Sequence, residues 1–274
     1  TGGVMATWGS LGSVTLGEPG ALVGFLGPRV FEMLSGDQFP PGVQTTENLA
    51  THGIIDAVVP LERLRAEVGA VLDVATGVAT TPVATRFDTT DAATGRPDPW
   101  ECVTKTRNPD RPTTGALLAQ NATSLTRLSG TGAGERGDAV ALCLGKWRGI
   151  NAVIVAQDRA AQSSGEALGP AALRTARRGF RLAAELGLPL VTVVDTAGAE
   201  LSVAAEEGAL AGEIARCLAE LATLDVPTVS VLLGMGCGGG ALSLLPTDRV
   251  VAAENAWVAP LPLEGASIIR YRTP

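Results

Sequence analysis

Histidine is almost absent from this sequence: His52 stands alone in 274 residues. A Ser-His-Asp triad or a His-rich metal site would have to rest on that one ring, which sets both classes aside. Cysteine is scarce as well. Cys102, Cys143, Cys217 and Cys237 show no C-x-x-C spacing and have no neighbouring histidine, so they read neither as a zinc site nor as a secreted disulfide framework. Free thiols of this kind fit a reducing cytosol, and the expected location is cytoplasmic. There is no Lys/Arg block, and 21 Lys+Arg against 28 Asp+Glu leave a net charge of −7, so nucleic acid is not an expected partner. No apolar run reaches the roughly 18–20 residues of a membrane helix. Thr1-Gly2-Gly3 opens the chain without the charged and apolar regions of a secretory signal. The P-loop pattern G-x-x-x-x-G-K-S/T is missing, which argues against an NTP site. Aromatic residues make up only 4%.

Glycine is what the chain has instead. It supplies 34 residues, within a composition that is 46% hydrophobic and 18% charged. Such a chain folds, packs with small side chains, and brings backbone where other proteins bring side chains. The pattern lacks an initiator Met and starts and stops in mid-motif, so the sequence reads as a piece of a longer chain.

Three zones follow one another. In residues 1–75, Ala21–Phe25 reads as a strand and Gly27-Pro28 opens a helix over Arg29–Leu34. Thr45 caps a helix that ends at His52-Gly53. Ile54–Val59 reads as a buried strand, and after Pro60 a helix places Leu61, Leu64, Val68, Val71 and Leu72 on one face. Residues 76–112, rich in Thr, Pro, Asp and Arg, read as a linker. In residues 113–274, Ala139–Leu144 and Ala152–Ala156 form a hairpin. A helix over 170–186 puts Leu173, Ala176, Phe180 and Ala183 on one face. Leu190–Val194 and Thr228–Leu233 are continuous apolar strands, as expected when both faces are covered. A helix over 205–223 separates them, and Arg249–Ala252 and Trp257–Ala259 follow. Strands alternating with helices predict an α/β layered fold.

Two strand ends carry unusual loops: Asp195-Thr196-Ala197-Gly198-Ala199, and the run from Gly234 through Gly238-Gly239-Gly240 to Ala241. Ligands of α/β sheets favour the carboxyl ends of strands. N–H groups at a helix start are unpaired and partly positive, and glycine lets them approach a ligand closely. Two such groups aimed at one oxygen make an oxyanion hole. Gly2-Gly3, before a helix over Val4–Trp8, is a third place of this kind. Glycine runs also serve helix-on-strand packing, and both uses stay open here. Arg174, Arg177, Arg178 and Arg181 share a helix face, read as its solvated side. Asp195 reads as a residue that fixes its loop by accepting backbone N–H bonds.

At these residues the chain resembles a known family, the carboxyltransferase component of bacterial acyl-CoA carboxylases, of the crotonase superfamily. The likeness runs from Thr1-Gly2-Gly3-Val4-Met5-Ala6 through Glu18–Val30 and Gly53–Pro60, which look like the end of a β-type half. It continues over 138–270, which looks like an α-type half with Asp195–Ala199, Gly239-Gly240-Ala241 and Pro262–Ser267. The sequence departs from the family pattern at Ala197, where Pro is usual, and at Leu201-Ser202, where Pro-Gly is usual.

The resemblance implies an α/β, crotonase-like ββα spiral fold in two tandem domains, the first incomplete in this chain. Residues 1–75 would be the end of the first, acyl-CoA-side domain, and 113–274 the second, biotin-side domain. It implies one oxyanion hole at Gly2-Gly3 for the acyl-CoA carbonyl and one at Gly239-Gly240 for the carbonyl oxygen of biotin, with Gly198, Ala199 and Gly238 on the biotin side. Carboxybiotin on a partner carrier and a CoA thioester would be the reactants, free biotin's N1′ would take the α proton, and no metal in this chain would be needed. A biotin carboxyl carrier or biotin carboxylase subunit and a homo-oligomer are the implied partners. Two alternatives stay open: a biotin-dependent acyl-CoA decarboxylase of the same superfamily, and a non-catalytic assembly subunit of a carboxylase.

Overall fold

The structure is a computed structural model that describes residues 11–24, 28, 32, 36–77 and 98–272. Its larger sheet runs in chain order, β3 (Ala122–Leu128), β4 (Val140–Trp147), β5 (Ile150–Gln157), β6 (Leu190–Thr196), β7 (Thr228–Cys237) and β8 (Arg249–Ala252), with β9 (Trp257–Ala259) pairing the far end of β7. The first three strands are antiparallel and the rest are parallel. The β4–β5 hairpin turns on Arg148-Gly149, both at positive φ, as a tight two-residue turn requires.

The apolar strands divide by period two. Leu142, Leu144, Val153, Val155, Leu190 and Val194 face one layer with Leu173, Ala176, Phe180 and Ala183. Cys143, Ile154, Ala156, Val191 and Val193 face the other with Leu118. Both faces are therefore buried, which accounts for continuous rather than alternating apolar runs. Helix α6 (Pro170–Leu186) covers the first face, beginning on Pro170 and ending at Gly187 in the left-handed conformation. A buried Phe such as Phe180 contributes about 1.5–3 kcal/mol.

In the first zone, α1 (Thr46–Thr51) has Thr45 as its N-cap, accepting from the Asn48 N–H, and stops at His52 as expected. Ile54–Val59 does not form a full strand. Ile54 N donates back to Leu49 of the helix end, and only Ala57–Val58 (β2) pairs, in parallel with β1 (Leu16–Gly17). Val59 N closes that pairing on the Gly17 carbonyl, and Ile55 is buried outside it. Of the expected strand Ala21–Phe25, the described residues 21–24 hold one bridge, Leu22 to Thr45, and Phe25 lies outside the described residues. Helix α2 (Leu61–Thr76) forms, but Leu61, Val68 and Leu72 are exposed and Val74 is its buried residue. The helices expected at Val4–Trp8 and, but for Glu32, at Arg29–Leu34 lie outside the described residues.

The segment read as a linker contributes a helix, α3 (Pro99–Arg107), that packs on β7. Helix α4 (Thr114–Asn121) leads from it into β3. The single helix expected over 205–223 is two, α7 (Val203–Glu207) and α8 (Leu210–Ala222), broken at Ala209 with φ +63°. The arginine face of α6 is not solvated as expected. Arg174 pairs with Glu135 and Glu213, Arg177 with Glu213 and Glu220, and Arg178 with Asp56, while Arg181 is exposed. The sequence reading missed this because all four carboxylates lie far away in the chain.

Candidate active site

Strands β6 and β7 are parallel neighbours, so their carboxyl ends lie side by side. The pairing shifts register there: Val194 opposes Leu232, but Thr196 opposes Gly236. The two extra residues of β7 leave the Met235 N–H without a regular ladder partner. Asp195, which has no exposed surface, takes it: Oδ1 accepts from Met235 N at 3.2 Å. The expectation that Asp195 accepts a backbone N–H is met, and an ion pair is added. Arg111, from the segment after α3, donates from Nη2 to the same oxygen at 2.5 Å and from Nε to the Thr106 carbonyl at 2.6 Å. Arg159 Nε lies 3.8 Å from Asp195 Oδ2.

Beyond Asp195 the chain turns on Gly198, at φ +143°, a conformation that favours glycine. Thr196 Oγ1 accepts from Gly198 N at 3.1 Å, and its one proton is shared between Gly198 O at 2.9 Å and Gln162 Oε1, on the short helix α5 (Arg159–Ser163), at 2.7 Å. The neighbouring loop ends β7 at Cys237 and begins the short helix α9 (Gly238–Leu242), with Gly238 at φ +57°.

The two loops touch. A methyl on Gly240 would come within 2.8 Å of Leu168 Cδ2, 3.0 Å of Ala199 N and 3.2 Å of Gly198 C. A methyl on Gly198 would meet Pro262 at 3.2 Å, and one on Gly238 would meet the Pro260 carbonyl oxygen at 3.6 Å. The structure therefore brings Gly198, Ala199, Gly238 and Gly240 together, with Gly239 backed by Ile214. Gly2 and Gly3 lie outside the described residues.

A cavity of about 240 Å³ opens beside these loops, lined by Arg107, Ala197, Met235, Cys237, Trp257, Pro262, Leu263 and Glu264. Its walls are largely apolar, and it is sized for a ring rather than a whole drug-like ligand. Arg107 and Glu264 form an ion pair at 2.6 Å among these lining residues. The Glu264 carboxyl sits below its ordinary range, chiefly through its own backbone N–H and also through Arg107. Trp257 Nε1 donates to Thr106 Oγ1 at 2.7 Å, tying the cavity wall to α3. Burial pushes the Cys237 thiol up to about 11, so it is a packing residue rather than a nucleophile. Among the described residues no cluster of His, Cys, Asp or Glu has the makings of a metal site.

The sequence profile described as acetyl co-enzyme A carboxylase carboxyltransferase-like matches residues 86–274. The chain belongs to this family. It is 55% identical over 272 residues to a probable biotin-dependent acyl-coenzyme A carboxylase beta3 subunit of Mycobacterium tuberculosis, covering 99% of this chain and 54% of that one. It is 36% identical over 279 residues to the acetyl-coenzyme A carboxylase carboxyl transferase subunits beta/alpha of Saccharopolyspora erythraea, covering 99% and 49%. This family member thus spans about half the length of the curated relatives it matches. In structure it is similar to transcarboxylase 12S, a hexamer solved with methylmalonyl-coenzyme A and methylmalonic acid bound (TM-score 0.76, 19% identity, 99% of this chain and 53% of that one). It is also similar to a single-chain, multi-domain long-chain acyl-CoA carboxylase (TM-score 0.71, 20% identity, 95% and 25%). These likenesses establish the crotonase-like α/β fold. Among the described residues no helix is long and apolar enough to cross a membrane.

Sequence reasoning missed Arg111, Gln157, Gln162 and Arg159. Each is polar, and each meets its partner only through the fold. Nothing local ties Arg111 to Asp195, 84 residues away.

Proposed function

We propose that the protein to which this chain belongs is a carboxyltransferase, moving a carboxyl group from biotin on a carrier protein to the α carbon of an acyl-CoA. The observation that carries this reading is the meeting of the Gly198-Ala199 turn with Gly240 beside the cavity at the ends of β6 and β7. The cavity fits a ring: Trp257, Met235, Pro262 and Leu263 line it. Biotin, when bound, supplies the carboxyl group and, once free of it, a basic nitrogen.

The chain's own part is electrostatic. Backbone N–H groups of Gly239 and Gly240, in the first turn of α9, stabilise negative charge on a carbonyl oxygen of the ring. Gly198, Ala199 and Gly238 shape the approach. Loss of one donor from such a hole costs about 3–4 kcal/mol of transition-state stabilisation. Gly2-Gly3 would hold the acyl-CoA carbonyl in the same way, so each half of the chain serves one substrate. On this reading residues 1–75 belong to a first, acyl-CoA-side domain and 113–274 to a second, biotin-side domain. The protein would act as a cytoplasmic homo-oligomer beside a biotin carboxyl carrier and biotin carboxylase, in the supply of carboxylated acyl-CoA for fatty acid biosynthesis.

The test uses the whole protein with carboxylated carrier and acetyl-, propionyl- or butyryl-CoA, following labelled carboxyl into the thioester. Transfer by the wild type and its loss in Gly240→Val support the reading and identify the acyl group. Carrier binding without transfer to any acyl-CoA would overturn it in favour of an assembly subunit.

A further inference from the structure

Gln157 is the last residue of β5 and has no exposed surface. Its side-chain oxygen accepts from Asp195 N at 3.0 Å, and its side-chain nitrogen donates to the Gly240 carbonyl at 2.6 Å. The amide orientation is fixed by its partners, since a backbone N–H only donates and a carbonyl only accepts. Its own carbonyl accepts from Thr114 Oγ1 at 2.7 Å, and its backbone pairs with Val140. One planar group of fixed length, rooted in the sheet, therefore links both loops of the candidate site.

Neither loop depends on Gln157 for its own shape. Asp195 is held separately by Arg111 and the Met235 N–H, and the Gly240 carbonyl also accepts from Ser243 Oγ at 2.7 Å. Gln157 adds a direct tie from Asp195 N to the Gly240 carbonyl, beside the Met235–Asp195 bond and the Thr196–Gly236 pairing, and so helps to set the separation between them. Ala199 N and Gly240 already stand too close for a methyl group, so that separation decides whether a carbonyl oxygen meets the donors of α9.

We propose that Gln157 is a positioning residue for carboxyl transfer, setting the distance between the Asp195–Ala199 loop and Gly240 without touching either substrate. The inference rests on the carboxyltransferase reading and goes beyond it by assigning a role to a residue outside both glycine loops. Gln157→Glu keeps the shape and the acceptor for Asp195 N, but turns an oxygen toward the Gly240 carbonyl in place of a donor. Gln157→Met keeps the volume and loses both bonds.

The experiment measures carboxyl exchange between biocytin and acyl-CoA by the whole protein, with kcat, KM for each substrate and thermal unfolding for wild type and both variants. The expected result is a kcat about 100-fold lower in both variants with the acyl-CoA KM unchanged, the size of a ~1 Å misplacement. Folded variants with wild-type kcat would overturn the proposal. So would a loss of kcat no larger than the loss of folded protein seen in the unfolding measurement. If Gln157→Met does not fold, the isosteric Gln157→Glu carries the test. If the wild type itself transfers nothing, the carboxyltransferase reading fails and takes the proposal with it; transfer by wild type and variants alike defeats the proposal alone.

Discussion

Arg178 grips Asp56 with both arms of its guanidinium, Nη1 to Oδ1 at 2.9 Å and Nη2 to Oδ2 at 3.1 Å, across 122 residues of chain. The same guanidinium donates to the carbonyls of Ser129, Gly130 and Ser13, and Asp56 also accepts from Thr15 N and Ser129 N. The pair fastens the first zone to α6. Its geometry is bidentate and nearly closed off from water, with side chains 15% and 2% exposed.

Removing one partner of this pair leaves the other charge buried. Arg178→Ala or Asp56→Ala is expected to cost about 3–5 kcal/mol each, and the double variant less than the sum. Denaturant unfolding of the four proteins in a double-mutant cycle checks it.

Gly240→Ala places a methyl against Leu168 and the Ala199 N–H. The loops must part by a few tenths of an ångström. Carboxyl transfer is expected to fall toward the about 100-fold level of a misplaced reacting group, with acyl-CoA binding retained. Steady-state kinetics beside equilibrium acyl-CoA binding separate the two effects.

All four cysteines are buried. Burial pushes the thiols of Cys143 and Cys237 up to about 11 and that of Cys217 to about 12. At pH 8 only about one in a thousand of a thiol with pKa near 11 is the reactive thiolate. A colorimetric disulfide reagent is expected to react slowly with the native chain and rapidly with four thiols after denaturation. Prompt reaction of Cys237 in the native state would contradict its assignment as a packing residue.

Glu213 receives Arg174, Arg177 and Arg216. Burial raises its carboxyl pKa, but the hydrogen bond and charge of Arg177, with Arg174, outweigh that and leave it below the ordinary value. A depressed folded pKa gives stability that is full above the unfolded value and is lost as pH falls through the folded one. Unfolding free energy should therefore decline on acidification below the ordinary glutamate range. Glu213→Gln should flatten that part of the profile while lowering stability near neutrality. A profile unchanged by the substitution would contradict this.

Much of the second zone is legible because its signals are local. Pro170 and Gly187 punctuate α6, and the apolar spacing between them is helical. The strands Arg249–Ala252 and Trp257–Ala259 have the bounds that the sequence predicts. Ile54–Val59 misled because burial does not require a ladder: Ile55 is covered by packing while the backbone bonds elsewhere. At the site, glycine loops after apolar strands pointed to the Asp195–Ala199 and Gly238–Gly240 segments. That the two loops meet, and that Gln157 spans them, depends on the β5–β6–β7 order, which no short stretch encodes. The arginines of α6 looked solvated for the same reason: Asp56, Glu135, Glu213 and Glu220 come to them only through the fold.

The order of strands in the large sheet also sets a timetable. β3, β4 and β5 form an antiparallel meander whose second turn is two residues long, so β4 and β5 find each other over a short loop. β6, β7 and β8 pair in parallel and must each return across intervening helix, a slower search because longer loops are closed. Both glycine loops hang from β6 and β7. The meander can thus nucleate before the region that holds them exists, and pulse-labelled amide exchange during refolding should protect Leu142 and Val153 ahead of Val193 and Leu232. The two glycine loops are then among the parts whose assembly comes late.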